Sequence, residues 1–541
     1  MGSRALRKLF PGMLLAGLTT WAGAQSFRVQ CPASTITHPN AGNNNSEPAY
    51  TAPTTWALNT NGFYSPTGNV NGAIKCQQIS GGDGYSTMAN GTQTFMFSFG
   101  PLSGLADIAN GQPGTEFPSV FNTVAPVTLV PGDPATTDGG TPTTLATPGA
   151  FTWNGAVGLT PDLDNIGDGG CTAPCLDGHV DPRQIMDVGV MNGNIPAPLM
   201  AIDEDDEFFL TLTNVGMIMR PDLFEQHTVH FHGYPNASSF YDGVPDASVA
   251  INIGGSFTYY YLAPDAGTYF WHCHITPPEH LQMGMVGQIY VRPRQNRVPV
   301  GIGLYASLQL QQTDLRTACN SANDILCTNP LPSTSNSVAQ GVDPLTGQPY
   351  KYAYNDGDGS TAYDVEYPLQ IHGFDPNFHF VGMTFNPEAF VDMKDKFFLL
   401  NGRSYPDTVT PGPMQTESAD GAVHFSQPLN SIINIPAGGK ALLRISDLSV
   451  TEFSTLASLG IPMTVVGYNA KLLRDQSGNN MYYKTNSITL GGGESLDVIL
   501  DASNTSLYPS GSVFYLFTPQ LDHLANDQEN FGGLMTEVHI N

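Results

Sequence analysis

Between His227 and Met285 the chain gathers six histidines, a cysteine and two methionines at spacings that suit metal chemistry. The run opens with His227-Thr228-Val229-His230-Phe231-His232-Gly233. It closes with Trp271-His272-Cys273-His274, followed by His280 and Met285. A metal that passes one electron at a time is served by two imidazoles, one thiolate and a weak axial thioether, the blue-copper arrangement. His227, His280, Cys273 and Met285 carry those atoms. His230, His232, His272 and His274 are left over, alternating with Phe231 and Cys273. Alternation on a strand turns both members of a pair to one face, so four imidazoles can converge beside the first site. Two kinds of copper site are implied. Histidines that serve only a core or a surface do not cluster so tightly around a cysteine.

The elements that must hold these residues read as β-strands. The 541 residues include 58 glycines and 42 prolines, and only 12% are charged, a composition that favours short strands joined by turns. Strand patterning runs from Val188 to Val291, with turn signals at Asp242-Gly243, Gly254-Gly255 and Asp265-Ala266-Gly267. That pattern predicts a Greek-key β-sandwich. Residues 25–88 read as a polar, irregular N-terminal extension, and 89–295 as the metal-bearing domain. Within it the Gly/Pro/Thr-rich stretch of about 103–180 reads as a long insertion. A linker over 292–300 leads to a second β domain at 301–541. The run Asp203-Glu204-Asp205-Asp206-Glu207 could draw a reducing metal ion, but before the strand-like Phe208-Phe209-Leu210-Thr211-Leu212 it reads as a solvated turn. Asp162-Leu163-Asp164-Asn165-Ile166-Gly167-Asp168 has part of the acidic spacing of a calcium loop, with Ile166 at a ligand position.

These residues resemble the multicopper oxidases, the family of laccases, bilirubin oxidases and ascorbate oxidases. The wording Asp242-Gly243-Val244-Pro245 and Gly267-Thr268-Tyr269-Phe270 is similar to the same family. The resemblance implies an all-β protein of two cupredoxin-like domains. It implies that His227, Cys273 and His280 bind type 1 copper with Met285 axial. His230, His232, His272 and His274 would serve type 2 and type 3 copper, with His272 and His274 forming the electron path from Cys273. Two departures stand out. The loop Ile275-Thr276-Pro277-Pro278-Glu279 is two residues longer than the family's, and the chain has two His-x-His pairs where a complete cluster uses four.

The segment Val513-Phe514-Tyr515-Leu516-Phe517-Thr518 falls where a second copper domain would show its His-Cys-His, so that domain is expected to lack type 1 copper and His523 to be a relic. His372, His379 and His424 remain as candidates to complete the cluster, within one chain or across a homo-oligomer.

Residues 1–24 read as a signal peptide. Arg4, Arg7 and Lys8 precede an apolar run over 13–18, and Ala22-Gly23-Ala24 is a small-residue cleavage site. A secreted, periplasmic or extracellular protein follows, with no transmembrane segment. Of seven cysteines one is assigned to copper, and the other six form the couples Cys31 with Cys76, Cys171 with Cys175, and Cys319 with Cys327, expected as disulfides. The formal charge of -27 argues against nucleic acid as a partner. The expected activity is one-electron oxidation of a phenolic, metal-ion or redox-protein donor coupled to oxygen reduction. A non-enzymatic type 1 copper carrier and a copper nitrite reductase are the alternatives. Nitrite reductases carry Asp where this chain has His230, and no histidine at the position of His274.

Overall fold

Alternation of apolar and polar residues builds the first layers of the fold. The computed structural model describes residues 29–122, 193–217, 219–233, 238–263, 265–314, 329–384, 389–417 and 423–541. The signal-peptide reading, the calcium-like loop and the couples Cys171/Cys175 and Cys319/Cys327 lie outside these residues.

In the first half one sheet contains β1 (Ile74–Thr87), β2 (Gln93–Pro101), β4 (Glu207–Gly216) and β6 (Ser256–Leu262), in the order β2-β1-β4-β6. The facing sheet contains β3 (Met200–Asp203), β5 (His230–Phe231), β7 (Gly267–His272) and β8 (Val286–Arg292), in the order β3-β8-β7-β5. Phe97, Phe99, Leu210 and Tyr259 from one sheet meet Met200, Phe231, Trp271 and Ile289 from the other in a single buried core. Burying a side chain of this size contributes roughly 2 kcal/mol. Between β7 and β8 lies a short helix, α1 (Pro277–Gln282), which starts on the proline pair of the lengthened loop.

The second half repeats the plan. Its larger sheet includes β9 (Val365–Phe374), β10 (Phe397–Leu400), β12 (Lys440–Asp447), β14 (Met463–Tyr468) and β16 (Ser495–Asp501), in the order β14-β16-β12-β9-β10. Against it pack β11 (Ile433–Ile435), β13 (Ser454–Leu459), β15 (Ser487–Leu490), β17 (Val513–Phe517) and β18 (Met535–Ile540), in the order β11-β18-β17-β13-β15. Helix α2 (Pro376–Thr384) follows β9. The two halves share buried contacts: Phe378, Met393 and Ala470 join the first core. Thr268 donates to Asp497 at 2.6 Å, and Gln288 donates to the Arg444 carbonyl at 3.0 Å.

Two expectations are corrected. The irregular extension to residue 88 is too long, because Ile74–Thr87 is a strand of 14 residues hydrogen-bonded between β2 and β4. Gly81, Gly82 and Gly84 hide its alternation, and Cys31 is tied to it by a disulfide to Cys76. The acidic run is no solvated turn, since all five of its residues are buried. Asp205 takes a bidentate pair of bonds from Arg294 at 2.6 and 2.8 Å. Asp206 accepts the Ala73 and Asp203 amides, both at 2.8 Å, and Glu207 meets His38 at 2.7 Å. Burial raises the Glu204 carboxyl to about 7, against the pull of Arg294 and the hydrogen bond from Asn355. These partners lie up to 169 residues away, which is why a local charge run misleads.

Candidate metal centre

Cys273 follows directly on β7, where its sulfur is wholly buried. His280 Nδ1 lies 3.3 Å from that sulfur and His227 Nδ1 lies 4.0 Å from it. Three ligand atoms, one from each residue, fall within 4.8 Å of one another, a grouping that could hold a metal ion. The Thr228 amide donates to the same sulfur at 3.4 Å. Phe97 packs edge-on against His280 at 5.1 Å, and Gly81 leaves the room His227 needs, since a Cβ there would lie 2.7 Å from its ring. Burial raises the Cys273 thiol, but the His280 and His227 imidazoles outweigh it and hold the group well below the usual thiol range. A thiolate is the form a soft metal takes. Burial lowers the His280 ring, yet the Cys273 sulfur and Glu225 carry it up to about 9.

Met283 and Met285 are both buried in this core. The Met283 sulfur is turned toward α2, 3.6 Å from where a Cβ at Gly382 would sit. The Met285 amide donates to the His280 carbonyl at 2.9 Å, and its carbonyl accepts from Cys273 at 3.1 Å, so the three candidate ligands are joined through the backbone. Glu225 was not picked out by sequence. Its Oε2 sits 3.6 Å from His280 Nε2, and that ring lowers the Glu225 carboxyl.

The four remaining imidazoles do converge. His230 and His232 on or beside β5 face His272 and His274 at the end of β7, with His230 and His272 directly opposite in register. Ring centroids lie 5.4 Å apart for His230 and His232, 5.1 Å for His230 and His274, and 4.9 Å for His232 and His272. Backbone groups fix the rings. His230 Nδ1 meets the Asp242 carbonyl at 2.7 Å, His272 Nδ1 meets the Cys273 carbonyl at 2.6 Å, and His232 bonds the Gly493 backbone. With those nitrogens committed, His232 and His272 turn Nε2 atoms toward each other at 2.9 Å. Two lone pairs so placed are satisfied by a shared cation, and histidine ligands oriented through their other nitrogen are the usual design of metal sites. Burial, then neighbouring imidazoles, pushes His232 down to about 4 and His272 down to about 3, so both are neutral ligands at pH 7.

The second-half histidines go elsewhere. His372 and His379 are buried beside α1, hydrogen-bonded to the carbonyls of Leu281 and Gln282. His523 stacks on Phe398 at 3.8 Å and meets Glu452 at 2.8 Å, a packed core residue. His424 lies on the strand Val423–Ser426. Among the described residues His230, His232 and His272 form the group that could hold an ion, with the His274 ring beside it, 5.1 Å from His230.

The description "multicopper oxidase" belongs to the family model that matches residues 177–296, the segment carrying both histidine groups. That segment is therefore similar to the multicopper oxidases. Each half of the fold is built from two packed β-sheets, and the nitrogen and sulfur donors fit copper. Over 109 residues it is 34% identical to laccase abr2 of Aspergillus fumigatus, covering 20% of this chain and 17% of that protein. It is 35% identical over 109 residues to the copper-containing nitrite reductase of Rhizobium meliloti, covering 19% of this chain and 26% of that protein. The chain thus spans about a quarter or less of these relatives' length. Among solved structures, the blue copper oxidase of Nitrosomonas europaea aligns with 86% of this chain and 85% of its own, at 16% identity and a TM-score of 0.46.

Proposed function

We propose that this protein acts as a multicopper oxidase, taking single electrons from a reductant and delivering them to oxygen. His227, Cys273 and His280, with Met285 axial, would hold type 1 copper. His230, His232, His272 and His274 would hold the second copper site. The observation that carries this reading is continuity: His272 and His274 flank Cys273 in sequence, and the His272 ring reaches His232 at 2.9 Å. A covalent path therefore links the sulfur to the imidazole group. Bound copper would supply one-electron exchange at the sulfur site and oxygen reduction at the imidazole site. The residues around them exclude water from Cys273, keep its thiol deprotonated and hold His232 and His272 neutral. A phenol, a metal ion such as Mn(II), Fe(II) or Cu(I), or a redox protein is the proposed donor. Export is supported by the Cys31–Cys76 disulfide, and none of the described helices is long and apolar enough to cross a membrane.

A second reading, a type 1 copper electron carrier, is favoured by the four imidazoles standing where a complete cluster uses eight. Metal analysis with oxygen uptake separates the two. More than one copper per chain is expected, with a blue band that Cys273→Ser abolishes. In His274→Ala oxygen uptake should vanish while the blue band stays. One copper per chain and no oxygen uptake with any reductant would establish the carrier instead, and turnover of nitrite would point to the reductase.

A further inference from the structure

Helix α1 spans only Pro277–Gln282, too short to persist on its own. It nevertheless carries His280 and ends three residues before Met285. The backbone is bent at both ends, by Thr276 at φ 37° and Gly284 at φ 112°. What holds it is supplied by the other half of the chain. His372 on β9 donates from Nε2 to the Leu281 carbonyl at 2.9 Å, and its Nδ1 is buried without a hydrogen-bond partner, so the proton belongs on Nε2. His379 on α2 sets Nε2 against the Gln282 carbonyl at 2.9 Å and Nδ1 against the Phe95 carbonyl of β2 at 2.6 Å. Its ring lies flat on Phe374, 3.7 Å away. The Gln282 side chain donates to Asp395, just before β10, at 2.9 Å. All three partners are buried. Carbonyls near a helix end lose their intrahelical partners; the Leu281 carbonyl also accepts the Gly284 amide at 3.0 Å, and His372 adds a second bond from the other half of the chain.

We propose that His372 and His379 are positioning residues for the Cys273 site: by gripping the Leu281 and Gln282 carbonyls they fix how far His280 and Met285 stand from the sulfur. His379 lies between α1 and β2, the strand whose Phe97 packs against the His280 ring, so it contacts two walls of the site while its single N–H bonds one of the two carbonyls. The idea rests on the type 1 copper reading. Small changes in the distance of a weak axial ligand tune the potential of such a site, and partners behind the ligands set those distances.

The first test needs no metal. In copper-free protein, backbone amides over 280–286 should exchange with solvent at least tenfold faster in His372→Phe and His379→Leu, while those of β6 stay unchanged. His372→Gln, which keeps an N–H donor, should restore slow exchange. In copper-loaded protein the same two variants should shift the midpoint potential and change the copper hyperfine splitting, with His372→Gln returning both toward the parent. Folded variants with unaltered exchange, or with unaltered potential and splitting, overturn the proposal. If His379→Leu does not fold, the His372→Phe and His372→Gln pair decides alone. A parent protein that never turns blue on copper loading would sink the type 1 reading, whereas faster exchange in the copper-free variants would still support the grip on α1.

Discussion

Cys273 and the imidazoles on either side of it concentrate the chemistry in three consecutive residues, yet their geometry depends on atoms far along the chain. His232 is the clearest case. It rests on Gly493, whose φ of 93° suits glycine and whose Cβ, if present, would lie 2.8 Å from Nδ1 of the ring. We expect Gly493→Ala to displace His232 and lower oxygen uptake by about tenfold or more, as losing the support behind a ligand does. The blue band should be unaffected, and a variant with full uptake would show that His232 needs no such seat. The ligand types and their spacing were readable from sequence, because alternation on a strand is a local property. Gly493 and Glu225 were not, since neither carries a signal until β5, α1 and the second half are folded against one another.

At the level of elements, the strands of the second half and the copper strands were legible in their alternation, whereas β1 was lost among its glycines and α1 was read as a proline-stiffened loop. The acidic run before β4 failed for a different reason: its Asp205 is paired with Arg294 and Arg297, which arrive with the segment after β8. Asp205 sits at φ 76°, a conformation that Asn also tolerates. Asp205→Asn should therefore keep the turn and remove only the charge, leaving Arg294 short of its bidentate partner. We expect a loss of about 3 kcal/mol, the scale of a broken buried ion pair, measured by urea unfolding. A loss under about 0.5 kcal/mol, the size of an ordinary surface change, would mean that Glu204 alone balances Arg294.

Across the whole molecule, Glu366 joins the halves by accepting from Arg292 at 2.6 Å and from Arg444 at 3.0 Å. Burial raises its carboxyl, but the two guanidinium groups prevail and hold it down at about 2. A depressed carboxyl lends stability that is complete above its unfolded value, about 4.3, and is lost as the pH falls toward 2. The stability gap between the parent and Glu366→Gln should thus be constant above about pH 5 and close on acidification. A gap independent of pH would deny Glu366 its charge. Thiol counting on denatured, metal-free, unreduced protein should find one reactive cysteine, Cys273, and three or more would refute the three-disulfide framework.

The grip of β9 and α2 on α1 has one more consequence. On that proposal, the half of the chain that would carry no blue copper holds down the loop that would give the other half its colour. Bleaching on warming would then report the loosening of a region that absorbs no visible light. A colorimetric melting curve would act as a thermometer placed in one half and read in the other.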